Sequence, residues 1–124
     1  PDHGLALIAL GYTRADRSER LDEARQLIET ALKLAPEDPF IMDSMGWVLY
    51  RQGDIPQALD YLKRAHALRP DPEIAAHFGE VLWVSGQRDE ARALWSDVLK
   101  AHPNNEVLQN TVNRFLRTSH PAAR

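Results

Sequence analysis

Several features common in enzymes and membrane proteins are missing from this sequence. It has no cysteine, which excludes disulfides, thiol nucleophiles and cysteine-ligated zinc. No apolar run approaches the roughly 18 residues that a membrane-spanning helix needs. The net charge is −3 and both signs are spread along the chain, so the basic stripe of a nucleic-acid-binding protein is absent. We therefore expect neither nucleic-acid binding nor membrane insertion by this segment.

Motifs of catalysis and phosphate binding are missing as well. Ser44 and Ser85 do not stand in a G-x-S-x-G motif, and no glycine-rich phosphate loop is present. His77 and Glu80 are three residues apart and could share one helix face, but a metal site needs further ligands that the sequence does not indicate. We predict no catalytic residue, no metal and no cofactor.

The strongest positive feature is a pattern that occurs twice, 33 residues apart. The two copies share two glycines, an alanine and a closing proline, at Gly46 and Gly79, Gly53 and Gly86, Ala58 and Ala91, and Pro70 and Pro103. A looser third copy lies upstream, at Gly11, Ala24, Ile28, Ala31 and Pro36. A period near 34 residues with these marks is typical of stacked helix–turn–helix repeats.

The pattern predicts an all-α chain of seven helices and no sheet. We place these helices at about 4–15, 20–34, 39–52, 55–68, 72–85, 88–101 and 105–117. Each repeat consists of a first and a second helix, and Gly53 and Gly86 directly follow the first helix of their repeats. A residue with positive φ commonly ends a helix at such a position. The last segment has apolar residues at a spacing near 3.6 and a polar opposite side, which suits a helix that caps a stack.

Small residues indicate where the helices of a pair meet. A glycine inside a helix costs about 1 kcal/mol relative to alanine, so Gly46 and Gly79 indicate a close approach by another helix. Ala58 and Ala91 occupy the matching places on the second helices, and we predict that both are nearly fully buried. Trp95 also stands at a core position of its helix.

These residues resemble the tetratricopeptide repeat family. The first-helix pattern of the family is present as Met42, Met45-Gly46 and Leu49, and the second-helix pattern as Ala58, Leu62, Ala65 and Pro70. The resemblance implies a right-handed helical-repeat solenoid, with one domain over 1–117. It would contain three helix pairs (about 4–38, 39–71 and 72–104), a capping helix at 105–117 and a frayed tail at 118–124.

In this family the first helices line a concave groove for peptides or partner proteins. The resemblance implies that the groove-facing residues here are Tyr12, Asp16, Asp43, Trp47, Tyr50, Arg51, Ala76, His77, Glu80 and Trp83. We expect at least two of Trp47, Tyr50 and Trp83 to be partly exposed, since such side chains anchor binding surfaces. The alternative is that they pack between helices, and Asp43 and Glu80 could equally be ordinary solvated carboxylates.

One specialised form of this groove is not expected. Family members that bind the carboxy termini of heat-shock chaperones clamp the terminal carboxylate with lysine, arginine and asparagine. The matching places here hold Ile8, Tyr12, Ser44, Glu73 and His77. The resemblance therefore implies that the clamp is absent.

The resulting prediction is a non-enzymatic module that binds a partner protein or peptide, as an adaptor or scaffold. Two alternatives stay open: a structural or self-associating segment of a longer solenoid, and an adaptor that presents substrates to an enzyme such as a protease. The sequence resembles the carboxy-terminal repeats of longer proteobacterial proteins, and it begins Pro1-Asp2-His3 without an initiator methionine. We expect a piece of a larger protein, cytoplasmic or periplasmic, with tethering to the outer membrane through a preceding segment as a further option.

Truncation would have one consequence at the first helix. Leu5, Leu7, Ile8 or Leu10 would lose the cover of an earlier helix, and exposed apolar patches tend to find a partner. A weak homodimer through the first helix pair is therefore expected.

Overall fold

The computed structural model describes residues 20–118, without the side chain of Thr118. The predicted helix at 4–15, the apolar strip expected to self-associate, and the predicted site residues Tyr12 and Asp16 lie outside these residues. Of the predicted clamp positions, Ile8 and Tyr12 do so as well.

Six α-helices, and no strand, make up the regular structure of the described residues. They are α1 (Leu21–Leu34), α2 (Pro39–Arg51), α3 (Ile55–Leu68), α4 (Pro72–Val84), α5 (Arg88–Ala101) and α6 (Glu106–Thr118). The six corresponding predicted helices are confirmed, with every end within one residue. The right-handed superhelix and the single domain over 1–117 stay predictions.

The chain divides into two compact units, Pro1–Arg69 and Pro70–Arg124. In the first unit, α2 packs against both α1 and α3. Its fully buried core includes Ala24, Ile28 and Ala31 from α1, Ile41, Val48 and Leu49 from α2, and Ala58, Leu62 and Ala65 from α3. In the second unit, α4 packs against both α5 and α6. Its core includes Ile74, Ala75 and Val81 from α4, Ala91 and Trp95 from α5, and Leu108 from α6.

Aspartates cap the N-termini of α2 and α4 in the same way. The Asp38 carboxylate accepts hydrogen bonds from the backbone N–H groups of Phe40 at 2.8 Å and Ile41 at 3.3 Å. The Asp71 carboxylate does the same for Glu73 at 2.8 Å and Ile74 at 3.3 Å. Each cap satisfies backbone donors that have no partner within the helix.

Removing one of these caps should have a measurable cost. We expect Asp71→Ala to lower the free energy of unfolding by about 1 kcal/mol, because the first turn of α4 loses its side-chain acceptor. Chemical denaturation measures the change. Asp97→Ala is the matched control, since Asp97 is exposed inside α5 and alanine is favoured there. An equal loss in both variants would contradict the capping role of Asp71.

Glycines end α2 and α4 in the same way. Gly53 has φ +89° and Gly86 has φ +96°, the left-handed conformation that a glycine adopts without strain. The backbone N–H of Gly53 donates to the carbonyl of Tyr50, and that of Gly86 donates to the carbonyl of Trp83, both at 3.0 Å. The predicted helix-ending role of the two glycines is confirmed.

The helix-interior glycines lie at close helix crossings. A Cβ placed on Gly46 would lie 2.7 Å from Cγ of Leu62 and 3.2 Å from the backbone oxygen of Ala58. A Cβ placed on Gly79 would collide with the indole ring of Trp95. Each glycine is therefore required by the second helix of its own pair, as predicted.

Candidate functional site

Two aromatic side chains are partly exposed on α2. The rings of Trp47 and Tyr50 lie 5.1 Å apart between centroids, tilted by 52°, and each side chain is half-buried. Val48 and Leu49, which lie between them in the chain, are each 1% exposed. Two of the three aromatic residues are thus partly exposed, as expected. They offer a rigid apolar surface with a polar edge, which is typical of binding hot spots.

Side-chain hydrogen bonds connect α1 to Gln52, the residue that follows the C-terminal end of α2. The side-chain amide of Gln52 donates to the Asp22 carboxylate at 2.8 Å. The Arg25 guanidinium donates to the side-chain amide oxygen of Gln52 at 3.4 Å and to the Glu29 carboxylate at 3.3 Å. These hydrogen bonds connect α1 to the residue that follows α2, two positions after Tyr50.

The other predicted residues of α2 differ in exposure. Arg51 is exposed and directly follows Tyr50. Asp43 is 4% exposed, and Ser44 is fully buried with its hydroxyl donating to the carbonyl of Phe40 at 3.0 Å. The alternative that Asp43 is an ordinary solvated carboxylate is wrong, because its side chain is buried.

The predicted residues of α4 are less accessible than those of α2. Trp83 is 6% exposed, Glu80 is 8% exposed and Ala76 is fully buried, while His77 is half-buried. The alternative of a solvated Glu80 is therefore wrong, and the exposure considered for Trp83 is not found. The physical reason is that α5 and α6 bring Trp95 and Phe115 against the Trp83 ring and Arg114 against the Glu80 carboxylate.

Trp83 belongs to an aromatic cluster of the second unit. Its ring stacks on Trp95 with centroids 5.9 Å apart and contacts Phe115 at 6.2 Å. The guanidinium carbons of Arg88 and Arg92 each lie 5.0 Å from the centroid of the Trp83 ring. These cation–π contacts add to the cover of the ring.

An ion pair between α4 and α6 was not foreseen. The Arg114 guanidinium donates to the Glu80 carboxylate, whose side chain is 10% exposed. The two residues are separated by 34 positions, one repeat length. An acid and a base at the same place in successive repeats was the signal that could have predicted this contact, because equivalent helices of neighbouring repeats lie side by side.

The three tryptophans should respond differently to a soluble quencher. We expect acrylamide to quench mainly Trp47, because Trp83 is 6% and Trp95 is 1% exposed. Trp47→Phe should remove most of the accessible emission, whereas the control Trp83→Phe should leave that fraction nearly unchanged. Stern–Volmer plots measure both. Strong quenching that survives in Trp47→Phe would show that another tryptophan is the accessible one.

Neither a metal cluster nor a transmembrane helix is found among residues 20–118. No group of three or more histidine, aspartate or glutamate side chains is placed there to hold a metal ion. None of the helices in that range is long and apolar enough to cross a membrane.

The sequence matches models of one protein family over most of its length. Models of the tetratricopeptide repeat match residues 5–71 and residues 49–114. The chain belongs to the tetratricopeptide repeat family. A tetratricopeptide repeat-containing protein of Pseudomonas aeruginosa is 50% identical over 121 residues, covering 98% of this chain and 20% of that protein. This chain thus spans about a fifth of the length of that curated relative.

Solved tetratricopeptide repeat structures share the fold at lower identity. The Sgt2 domain from Aspergillus fumigatus is 16% identical with a TM-score of 0.80, covering 100% of this chain and 83% of that one. The first domain of Spaghetti, solved with an HSP90 peptide, is 19% identical with a TM-score of 0.76, covering 94% and 93%. The all-α helical-repeat class is therefore confirmed.

Proposed function

We propose that this chain is a protein–protein interaction module that binds a partner peptide or protein on α2. The observation that carries the proposal is the partly exposed pair Trp47 and Tyr50 on a helix whose other positions are mostly buried. Tyrosine and tryptophan bury a large area for little lost side-chain entropy. They therefore suit an anchor better than the surrounding small or charged residues do.

The family supports this proposal in general terms. The Spaghetti domain of the same fold is solved with a peptide bound. Binding of a chaperone carboxy terminus by a carboxylate clamp is not proposed for this chain, because Ser44 is fully buried and Glu73 would repel a carboxylate. We propose instead that the ligand places an apolar side chain on the ring pair and an acidic group near the exposed Arg51.

An adaptor or scaffold role follows from the same proposal. The Pseudomonas relative is about five times longer than the stretch that matches this chain, so the module would act as one binding segment of a long protein. If the parent protein presents substrates to an enzyme, the same α2 surface would hold the substrate or the enzyme. If the segment is structural, α2 would bind a neighbouring repeat instead.

A peptide selection tests the proposal. Random peptides displayed on phage are selected on the whole chain, and the affinity of the selected peptides is measured by the change in Trp47 fluorescence and by calorimetry. We expect Tyr50→Ala to weaken binding at least tenfold. Truncation of a hot-spot aromatic commonly costs about 2 kcal/mol or more, and about 1.4 kcal/mol corresponds to a tenfold change in affinity. Trp47→Ala, followed by calorimetry alone, should have a similar effect.

The control is another aromatic residue of the first unit. Tyr61 is half-buried on α3, where the Arg64 guanidinium lies 4.7 Å from its ring centroid. Tyr61→Ala should leave the affinity unchanged. Selected peptides that bind equally well to Trp47→Ala and Tyr50→Ala would overturn the assignment of α2, and failure to select any peptide would favour the structural alternative.

A further inference from the structure

A second surface, separate from α2, lies between α5 and α6. It is an open groove of about 490 Å³, lined by Arg92, Trp95, Ser96, Leu99, Lys100, Val112 and Leu116. Leu99 and Leu116 are half-buried, and Ser96 is exposed. The floor of the groove is apolar, and its two cationic side chains, Arg92 and Lys100, both belong to α5.

The repeat shows what kind of element fits such a groove. The capping residues Asp71 and Asn105 are 34 positions apart, and in this register Leu116 of α6 matches Leu82 of α4 and Leu49 of α2. Leu49 is 1% exposed and Leu82 is 5% exposed, whereas Leu116 is half-buried. In the two earlier repeats the equivalent face of α2 or α4 is covered by the second helix of the pair, α3 or α5. The groove on α6 therefore has the shape that receives a helix.

Asn113 of α6 restricts which side chains the incoming helix can carry where the two helices cross. Asn113 stands where the earlier repeats have Gly46 and Gly79, the two positions where a side chain would collide with Leu62 or Trp95. A helix with a large side chain at the crossing cannot approach α6 as α3 approaches α2. The helix that fits must carry glycine, alanine or serine opposite Asn113.

The charges at the groove select an acidic helix. Arg92 and Lys100 line the groove eight residues apart, or about 12 Å along α5, and no carboxylate is among the described residues that line it. Arg92 has a weak partner in Asp89 at 3.5 Å, whose side chain is fully exposed, so that pair adds little. An acidic residue on the incoming helix would be attracted at either end.

We propose that the α5–α6 groove binds an amphipathic helix of a partner protein, with a small residue opposite Asn113 and acidic residues toward Arg92 and Lys100. The proposal is independent of the α2 surface. It concerns an external helix, so it does not require the aromatic pair to bind anything.

A designed peptide provides the probe. Its sequence is that of residues 54–69, which include α3, the helix that packs on the equivalent face in the first unit. Leu62→Ala is introduced to fit Asn113. Lys63→Glu and Arg64→Glu supply negative charge. Fluorescence anisotropy of the labelled peptide is measured against the whole chain. We expect at least fivefold weaker binding for a peptide that keeps Leu62, and a similar loss for one with glutamine in place of both glutamates. Added salt should weaken the acidic peptide only.

Two exposed positions of α5 give matched variants of the protein. Ser96→Glu places a negative charge in the groove and should reduce binding at least tenfold, whereas Ala93→Glu, on the same helix and outside the groove, should not. Asn113→Gly should restore binding of the peptide that keeps Leu62. Circular dichroism confirms that each variant is folded.

Several outcomes would overturn the proposal. One is equal binding of the two probes that differ at position 62, and another is equal binding to Ser96→Glu and Ala93→Glu. Self-association that Ser96→Glu abolishes, without peptide binding, would identify a second copy as the occupant. Tighter peptide binding after deletion of residues 119–124, with no dependence on charge, would identify the chain's own tail. Binding of the α2 ligands should be unchanged in Ser96→Glu, which separates this proposal from the proposed function.

Discussion

Gly79→Ala is expected to lower the free energy of unfolding by about 2–3 kcal/mol, although alanine is normally the better helix residue by about 1 kcal/mol. The new methyl group would enter the space of the Trp95 indole ring. Trp95 is 1% exposed, and its ring has Trp83 and Phe115 each 5.9 Å away. The indole therefore cannot move aside without disturbing the whole cluster.

Two comparisons isolate this effect in chemical denaturation. Gly86→Ala is the control for backbone strain, since Gly86 has φ +96° and nothing within 4 Å of an added Cβ. Its cost should stay at about 1–2 kcal/mol, the usual cost of a Cβ in the left-handed conformation. In a Trp95→Leu background the cost of Gly79→Ala should fall, because leucine is smaller and more flexible. A stabilised Gly79→Ala protein would be incompatible with the helix crossing described above.

Ala91→Leu should cost about 1–3 kcal/mol or more through overpacking. Ala91 and its repeat equivalent Ala58 are both 0% exposed, which confirms the burial predicted from their spacing. Three additional side-chain carbons have no space at the contact between α4 and α5, so the helices would have to separate.

Ala93→Leu makes the same chemical change two residues further along α5, where the side chain is exposed. It should alter the free energy of unfolding by less than about 0.5 kcal/mol. Thermal melts of the two variants measure the difference, which we expect to be about 5–10 °C for a domain of this size. An unchanged melting temperature in Ala91→Leu would mean that the repeat register is wrong.

The parts of the fold that the sequence predicts are those set by short-range chemistry. Asp71 caps α4 through its own next residues, and Gly86 ends that helix through its own φ angle, so both follow from a few neighbouring residues. Ala91 is also predictable, because the 33-residue repeat marks it twice. Such features do not depend on which distant side chains complete the core.

The site was harder to predict because exposure depends on distant residues. Trp47 and Trp83 both lie on first helices, yet only Trp83 is covered by Trp95, Phe115 and the arginines of α5. These contacts come from the next two helices, and the apolar spacing within α4 does not encode them. The groove beside Leu116 was missed for the same reason, since it depends on which helices of residues 20–118 pack on α6.

The matching caps at Asp38 and Asp71 also bear on how the length of such a chain can change in evolution. Both aspartates hold the first turn of the following helix through the same two donors, at the same distances. A duplication of residues 38–70 would give a new copy that begins with an aspartate cap and is followed by another aspartate cap. Gain or loss of this 33-residue block would therefore preserve both aspartate caps. A gene duplication of about 99 nucleotides, three for each residue of the block, is thus a change in length that leaves these local caps intact.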